Sequence, residues 1–206
     1  MKENVKKIVA IGDSVVYGRI DPLEGGWVYR LRKWFEAQRP SENAVFNLGI
    51  GGETSTGLLR RFRRECIVRN PDLILLSVGV NDCRHIGSPS KPLITNLEKF
   101  SQNIGTLLTI AKKITSKVVF VSMVPVDEAR TTPIRGLYHY LADQQIFANH
   151  TKTICQYYNV PYVDNFSRWL SNKRYVELLA DGLHPNTLGH QDLFKEIRDF
   201  LVKEII

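Results

Sequence analysis

A chain of 206 residues, 43% of them hydrophobic and 24% charged, is long enough to bury a sizeable core. It fits a single domain over residues 1–206 and excludes a disordered or collagen-like polymer. Its 28 Lys and Arg against 21 Asp and Glu leave a net charge of +7, so nucleic acid, an anionic membrane surface and an acidic substrate all have to be weighed.

The first residues include Lys2, Lys6 and Lys7, but only the short run Ile8 to Ile11 follows before Gly12 and Asp13, too short for the core of a signal peptide. No later stretch approaches the roughly 20 apolar residues that span a bilayer. Together these predict a soluble, cytoplasmic protein with no stable membrane insertion. Cys66, Cys83 and Cys155 are odd in number, widely spaced and without a CxxC pair, which suggests reduced thiols rather than a disulfide framework or a zinc site.

Val5 to Ile11 reads as the first strand, and Val28, Leu31, Trp34 and Phe35 recur at helical spacing after it. Ala44 to Leu48 is the second strand. Arg60, Arg61, Arg63 and Arg64 follow, interleaved with Leu58, Leu59 and Phe62, which places them on the solvated face of an amphipathic helix rather than in a nucleic-acid patch. No tandem of basic and aromatic residues resembles a stacking platform for single strands. Leu73 to Val78 and Lys117 to Val124 are almost continuously apolar, as parallel strands covered on both faces are. Between them Leu97, Phe100, Ile104, Leu107, Leu108 and Ala111 mark a helix, and Leu141, Ile146, Ala148 and Ile154 mark another before the last strand, Val160 to Val163. Leu188 to Ile206 closes the chain as a helix. Gly87 to Pro92 and Thr131 to Gly136 read as surface loops. Strand alternating with helix predicts an α/β fold, a three-layer α/β/α sandwich around a five-stranded parallel sheet.

Ligands of such sheets bind beyond the carboxyl ends of the strands, and the chemically suggestive residues fall there. Ser14 follows the first strand in Gly12-Asp13-Ser14. On that tripeptide alone it is as good a helix N-cap as a nucleophile, and Val16 rules out the GxSxG elbow. Asp181 and His184, three residues apart with Gly182 between and Pro185 after, suit a general base and its orienting carboxylate, because Pro185 disfavours a helix through His184. Asn47 to Ser55 and Gly79 to Asp82 could supply donors for an oxyanion, although Gly51-Gly52 alone is an ordinary turn and Asn81-Asp82 an ordinary loop. The glycine-rich segment has neither the GK[ST] ending of a P-loop nor GxGxxG spacing. Cys83 lies close enough to Asn81 to invite a nucleophile reading, which is discounted against Ser14 with its Asp-His pair. Of the other histidines, His85 could line the site, and His139, His150 and His190 suit a surface or a helix face.

Taken together, Gly12-Asp13-Ser14-Val15, Asn47-Leu48-Gly49-Ile50-Gly51-Gly52-Glu53-Thr54, Gly79-Val80-Asn81-Asp82 and Asp181-Gly182-Leu183-His184-Pro185 resemble the four blocks of the SGNH, or GDSL, hydrolase family in order and spacing. Val15 stands where the name motif has leucine. The resemblance implies a flavodoxin-like strand order and a catalytic triad of Ser14, His184 and Asp181. It also implies an oxyanion hole from Ser14, Gly52 and Asn81, and hydrolysis of a small-molecule ester or thioester as an esterase or lipase, with no metal or organic cofactor and no nucleic acid. The loops Arg84 to Thr95 and Val126 to Tyr140 are expected to set acyl and alcohol preference, with Tyr17, Trp27, Tyr138 and Tyr140 as candidate walls. A non-catalytic module binding an anionic ligand on the same fold is the alternative, disfavoured by the complete set of five residues.

Overall fold

The computed structural model describes residues 5–206, so the first lysine of the basic start lies outside the described residues. The strands in chain order are β1 (Lys7–Gly12), β2 (Ala44–Gly49), β3 (Leu73–Ser77), β4 (Arg84–Ile86), β5 (Lys117–Val121), β6 (Leu137–His139) and β7 (Tyr162–Val163). The main helices are α1 (Ser14–Tyr17), α2 (Gly26–Glu36), α3 (Ser55–Ile67), α4 (Leu97–Ile114), α5 (Glu128–Thr131), α6 (Leu141–Tyr157), α7 (Asn165–Ser171) and α8 (Thr187–Glu204).

Five strands pair in parallel in the order β2-β1-β3-β5-β7, the flavodoxin-like arrangement. Because side chains alternate across a strand, the continuous apolar runs divide between two cores. Val9, Ile11, Ile74, Leu76, Val118 and Phe120 face one side with Phe62 of α3, Leu107 of α4 and Phe147 of α6. Ile8, Ala10, Leu73, Leu75, Val119 and Val121 face the other with Trp27 and Leu31 of α2 and Ile197 of α8. Three layers follow from this two-sided burial. No helix among the described residues is long and apolar enough to cross a membrane.

The stretches read as surface loops, Gly87 to Pro92 and Thr131 to Gly136, each adjoin a short strand that the sequence pattern does not mark. Arg84–Ile86 and Leu137–His139 pair antiparallel as a small second sheet, folding the segments after β3 and β5 together. Two of the histidines assigned to a surface or helix face are instead fully buried: His139 on β6 and His190 on α8. Helical spacing places a residue on a face but does not say whether another segment covers that face.

The His190 ring holds the stretch after Ser14 in place, its Nδ1 accepting from the Trp27 N–H at 3.3 Å and its Nε2 donating to the Arg19 carbonyl at 3.2 Å. Only the neutral ring can do both. Burial accordingly pushes the His190 pKa down to about 4 from 6.5, and burial together with Arg84 and His184 does the same for His139. A base with a depressed folded pKa contributes stability that is complete above about pH 6.5 and is lost as the pH falls towards 4. Asp13 has the opposite sign: burial raises its carboxyl from 3.8 to about 7, a cost relieved as the pH falls from 7. In urea unfolding, His190→Gln is therefore expected to reduce the loss of stability between pH 7 and pH 5 by about 2 kcal/mol relative to wild type, and Asp13→Asn to increase it by about as much. Parallel pH profiles for all three proteins would contradict this assignment.

Candidate active site

Gly12 ends β1 where the chain passes so close to β3 that a Cβ would lie 1.8 Å from the Ser77 carbonyl oxygen, which only glycine tolerates. Asp13 then caps α1, its Oδ1 accepting the Val15 N–H at 2.9 Å. The cap is thus Asp13, and Ser14, freed from that role, is the first residue of the helix. Its side chain is almost wholly buried.

The Asp181 to Pro185 segment is a turn closed by its own carboxylate, as the proline predicts. Asp181 Oδ1 accepts the Leu183 and His184 N–H groups at 3.0 and 2.8 Å, while Oδ2 meets His184 Nδ1 at 2.9 Å. From outside, the Arg130 guanidinium on α5 bonds the carbonyls of Val176, Leu179 and Ala180. Partial burial opposes ionisation of Asp181, but the hydrogen bonds from the His184 ring and backbone, with the imidazole's charge, hold its carboxyl well below the usual carboxylate range. His184 Nε2 then lies 3.0 Å from Ser14 Oγ. With Nδ1 donating to a carboxylate, Nε2 is the bare nitrogen and accepts the hydrogen bond of the Ser14 hydroxyl.

Gly51, Gly52 and Asn81 line the same cleft as Ser14 and His184, a space of about 250 Å³. Gly52 has φ of 78°, a left-handed conformation that glycine adopts without steric cost. Asn81 Nδ2 donates to the Glu53 carbonyl at 3.0 Å and Oδ1 accepts from Arg84 Nη1 at 2.7 Å. These two bonds fix which way the amide faces and leave one N–H for the cleft. Asp82 points away from the cleft and anchors the start of α3, accepting the Ser55 hydroxyl at 2.6 Å and its backbone N–H at 2.9 Å. All five residues singled out in the sequence therefore lie around one cleft.

The surroundings differ from expectation in several places. Arg61 is not on a solvated face. It bonds the Gly12 and Leu48 carbonyls at 3.1 and 3.0 Å and the Glu53 carboxylate at 2.6 Å, tying the ends of β1 and β2 to the loop that carries Gly52. Arg60, Arg63 and Arg64 are exposed as expected. Tyr17, Trp27, Tyr138 and Tyr140 do not line the cleft, and Trp27 belongs to the core. Ile134, Leu137 and Leu183 supply apolar wall instead. His85 is turned towards Asp143, 3.2 Å away. Cys83 is fully buried, and burial pushes its thiol well above the ordinary range. Arg84 was open to detection as the residue three after Asn81; nothing in the repetitive Arg60 to Arg64 run distinguished Arg61.

A family model for the GDSL-like lipase/acylhydrolase family matches residues 10–191. The chain belongs to that family. Its relatives include an acetylxylan esterase of Geobacillus stearothermophilus, 25% identical over 91% of this chain and 90% of that protein. An arylesterase of Vibrio mimicus is 24% identical over 97% and 90%. Among solved structures, a lipase/acylhydrolase from Enterococcus faecalis superposes with a TM-score of 0.78 at 24% identity over 96% of both chains, which shows the shared fold. For a GDSL-family chain the Asn81 geometry has a direct consequence. Asn81→Ala removes the amide N–H left for the cleft while Ser14, His184 and Asp181 keep their bonds; where that N–H meets a developing oxyanion, kcat for ester hydrolysis is expected to fall about 100-fold or more with KM little changed. A fall confined to KM would show that the amide binds the ground state instead.

Proposed function

We propose that this chain hydrolyses carboxylic esters through an acyl-enzyme on Ser14. The observation that carries the proposal is the unbroken line from Asp181 Oδ2 through the His184 ring to Ser14 Oγ, at 2.9 and 3.0 Å, opening on a cleft with Gly52 and Asn81 in its wall. Membership of the GDSL-like family and relatives named as esterases support the same reaction class.

In this mechanism Ser14 Oγ attacks the ester carbonyl carbon as its proton passes to His184 Nε2. The negative charge that develops on the carbonyl oxygen is met by the N–H groups of Ser14 and Gly52 and the free N–H of the Asn81 amide, each contributing about 3 kcal/mol. Collapse breaks the bond to the alcohol oxygen, which leaves with the proton from His184. Water then attacks the acyl carbon while giving a proton to Nε2. The second collapse releases the acid and returns that proton to Ser14. Asp181 stays ionised throughout, stabilising the transient imidazolium.

The test is turnover of 4-nitrophenyl esters and matched thioesters of graded chain length, with Ser14→Ala as reference. Saturable turnover by the wild type that the variant lacks supports the proposal. No turnover across the whole panel, or equal turnover by both proteins, overturns it.

A further inference from the structure

The cleft beside Ser14 is strongly and asymmetrically charged. Arg19, Arg84 and Arg135 all line it, from the segment after α1, from β4 and from the turn before β6. The one carboxylate in the lining, Asp181, is committed to His184. Nearby Glu53 is paired with Arg61, and buried Asp82, bonded to Ser55, acts electrostatically on Arg84, which leaves Arg19 and Arg135 as the cations with no carboxylate partner among the described residues. Among the described residues the side chains of Arg19 and Arg135 make no hydrogen bond or ion pair, and both are exposed. Arg84 is half-buried and spends one Nη1 bond on Asn81, with no ion-pair partner among the described residues.

The backbone at Arg135 is a second, independent observation. Ile134 and Leu137 exchange both N–H···O bonds at 2.8 and 2.9 Å, with Arg135 at φ 53° and Gly136 at φ 75° between them. This is a two-residue hairpin turn with two left-handed residues, a geometry that selects Asn-Gly or Asp-Gly. Gly136 conforms. Arginine has no local hydrogen bond to compensate its left-handed conformation, and conformational strain of this kind collects where a side chain serves function. Here it places a guanidinium on the wall of the nucleophile's cleft.

Building on the esterase reading, we propose that the preferred substrates are esters bearing a negative charge, a carboxylate, phosphate or sulfate close to the scissile bond, held by Arg135 and Arg19 at the rim with Arg84 deeper. Guanidinium groups recognise such oxyanions through paired, charge-assisted hydrogen bonds. The charge could sit on either side of the ester, and the experiment separates the two.

The alcohol-side pair is 4-acetoxybenzoate against methyl 4-acetoxybenzoate; the acyl-side pair is mono-4-nitrophenyl adipate against its methyl ester. For each pair the ratio of kcat/KM, anionic over neutral, is corrected by the rates of alkaline hydrolysis and measured for wild type, Arg19→Glu, Arg135→Glu and Arg135→Asn. Asparagine suits the turn and removes only the charge. The wild-type ratio is expected to exceed about fivefold in at least one pair, to fall about tenfold or more in each Glu variant, to fall in Arg135→Asn without loss of Tm, and to shrink in 0.5 M NaCl. The responding pair identifies the side that carries the charge. Ratios at or below one in both pairs, or ratios that charge reversal leaves within twofold, overturn the proposal while 4-nitrophenyl acetate turnover keeps the esterase reading intact. Loss of turnover on every ester, 4-nitrophenyl acetate included, overturns both.

Discussion

Ser14→Ala is expected to lower kcat for 4-nitrophenyl acetate by about 10⁵-fold or more, to a rate that no longer depends on His184. The substitution deletes a single oxygen whose hydrogen bond in the structure runs to His184 Nε2. The backbone N–H of residue 14 remains, and so does the Asp13 cap of α1, so the cleft and its donors persist. Residual turnover would come from water activated in a site that still stabilises the oxyanion. Since the hydroxyl supports no other part of the fold, Tm should move by only a few degrees. Retention of more than about 1% of wild-type kcat would mean that another group carries the nucleophilic step.

Asp181→Asn is the second large effect, a loss of about 10⁴-fold in kcat with the fold intact. The structure shows why an isosteric change should act so strongly. Oδ1 of residue 181 accepts two backbone N–H groups, from Leu183 and His184. An asparagine must present its carbonyl oxygen there, which turns its NH₂ towards His184 Nδ1. That nitrogen can meet an NH₂ only as an acceptor, so the ring proton moves to Nε2, the nitrogen that takes the proton from Ser14 Oγ in the proposed mechanism. Geometry survives and the tautomer inverts. Circular dichroism and Tm matching wild type, together with the collapse in kcat, are the expected signature; a loss under tenfold would show that His184 is oriented by other groups.

The layered fold was legible because each of its strands is coded locally. Leu73 to Ser77 and Lys117 to Val121 are apolar along nearly their full length, and such runs leave a buried parallel strand as the consistent solution. The candidate site was legible for a different reason. A serine, a glycine turn, an asparagine and an Asp-His pair have separate bland explanations, and only their order along the chain removes them. The cap reading of Ser14 is removed by its neighbour: Asp13 supplies the cap.

What the sequence by itself determined is the alternation that makes the sheet and the short segments that bring Ser14, Gly52, Asn81, Asp181 and His184 to its carboxyl edge. Only the tertiary structure decided the roles of the arginines. Arg61 sits within a basic run and looks solvated, yet it bonds two strand ends and Glu53, whereas Arg19, Arg84 and Arg135, scattered through the chain, converge on one cleft. Local periodicity reports which face of an element is apolar. It carries no record of which distant carbonyl or carboxylate a long, flexible guanidinium will reach, because that depends on how separate segments pack in space.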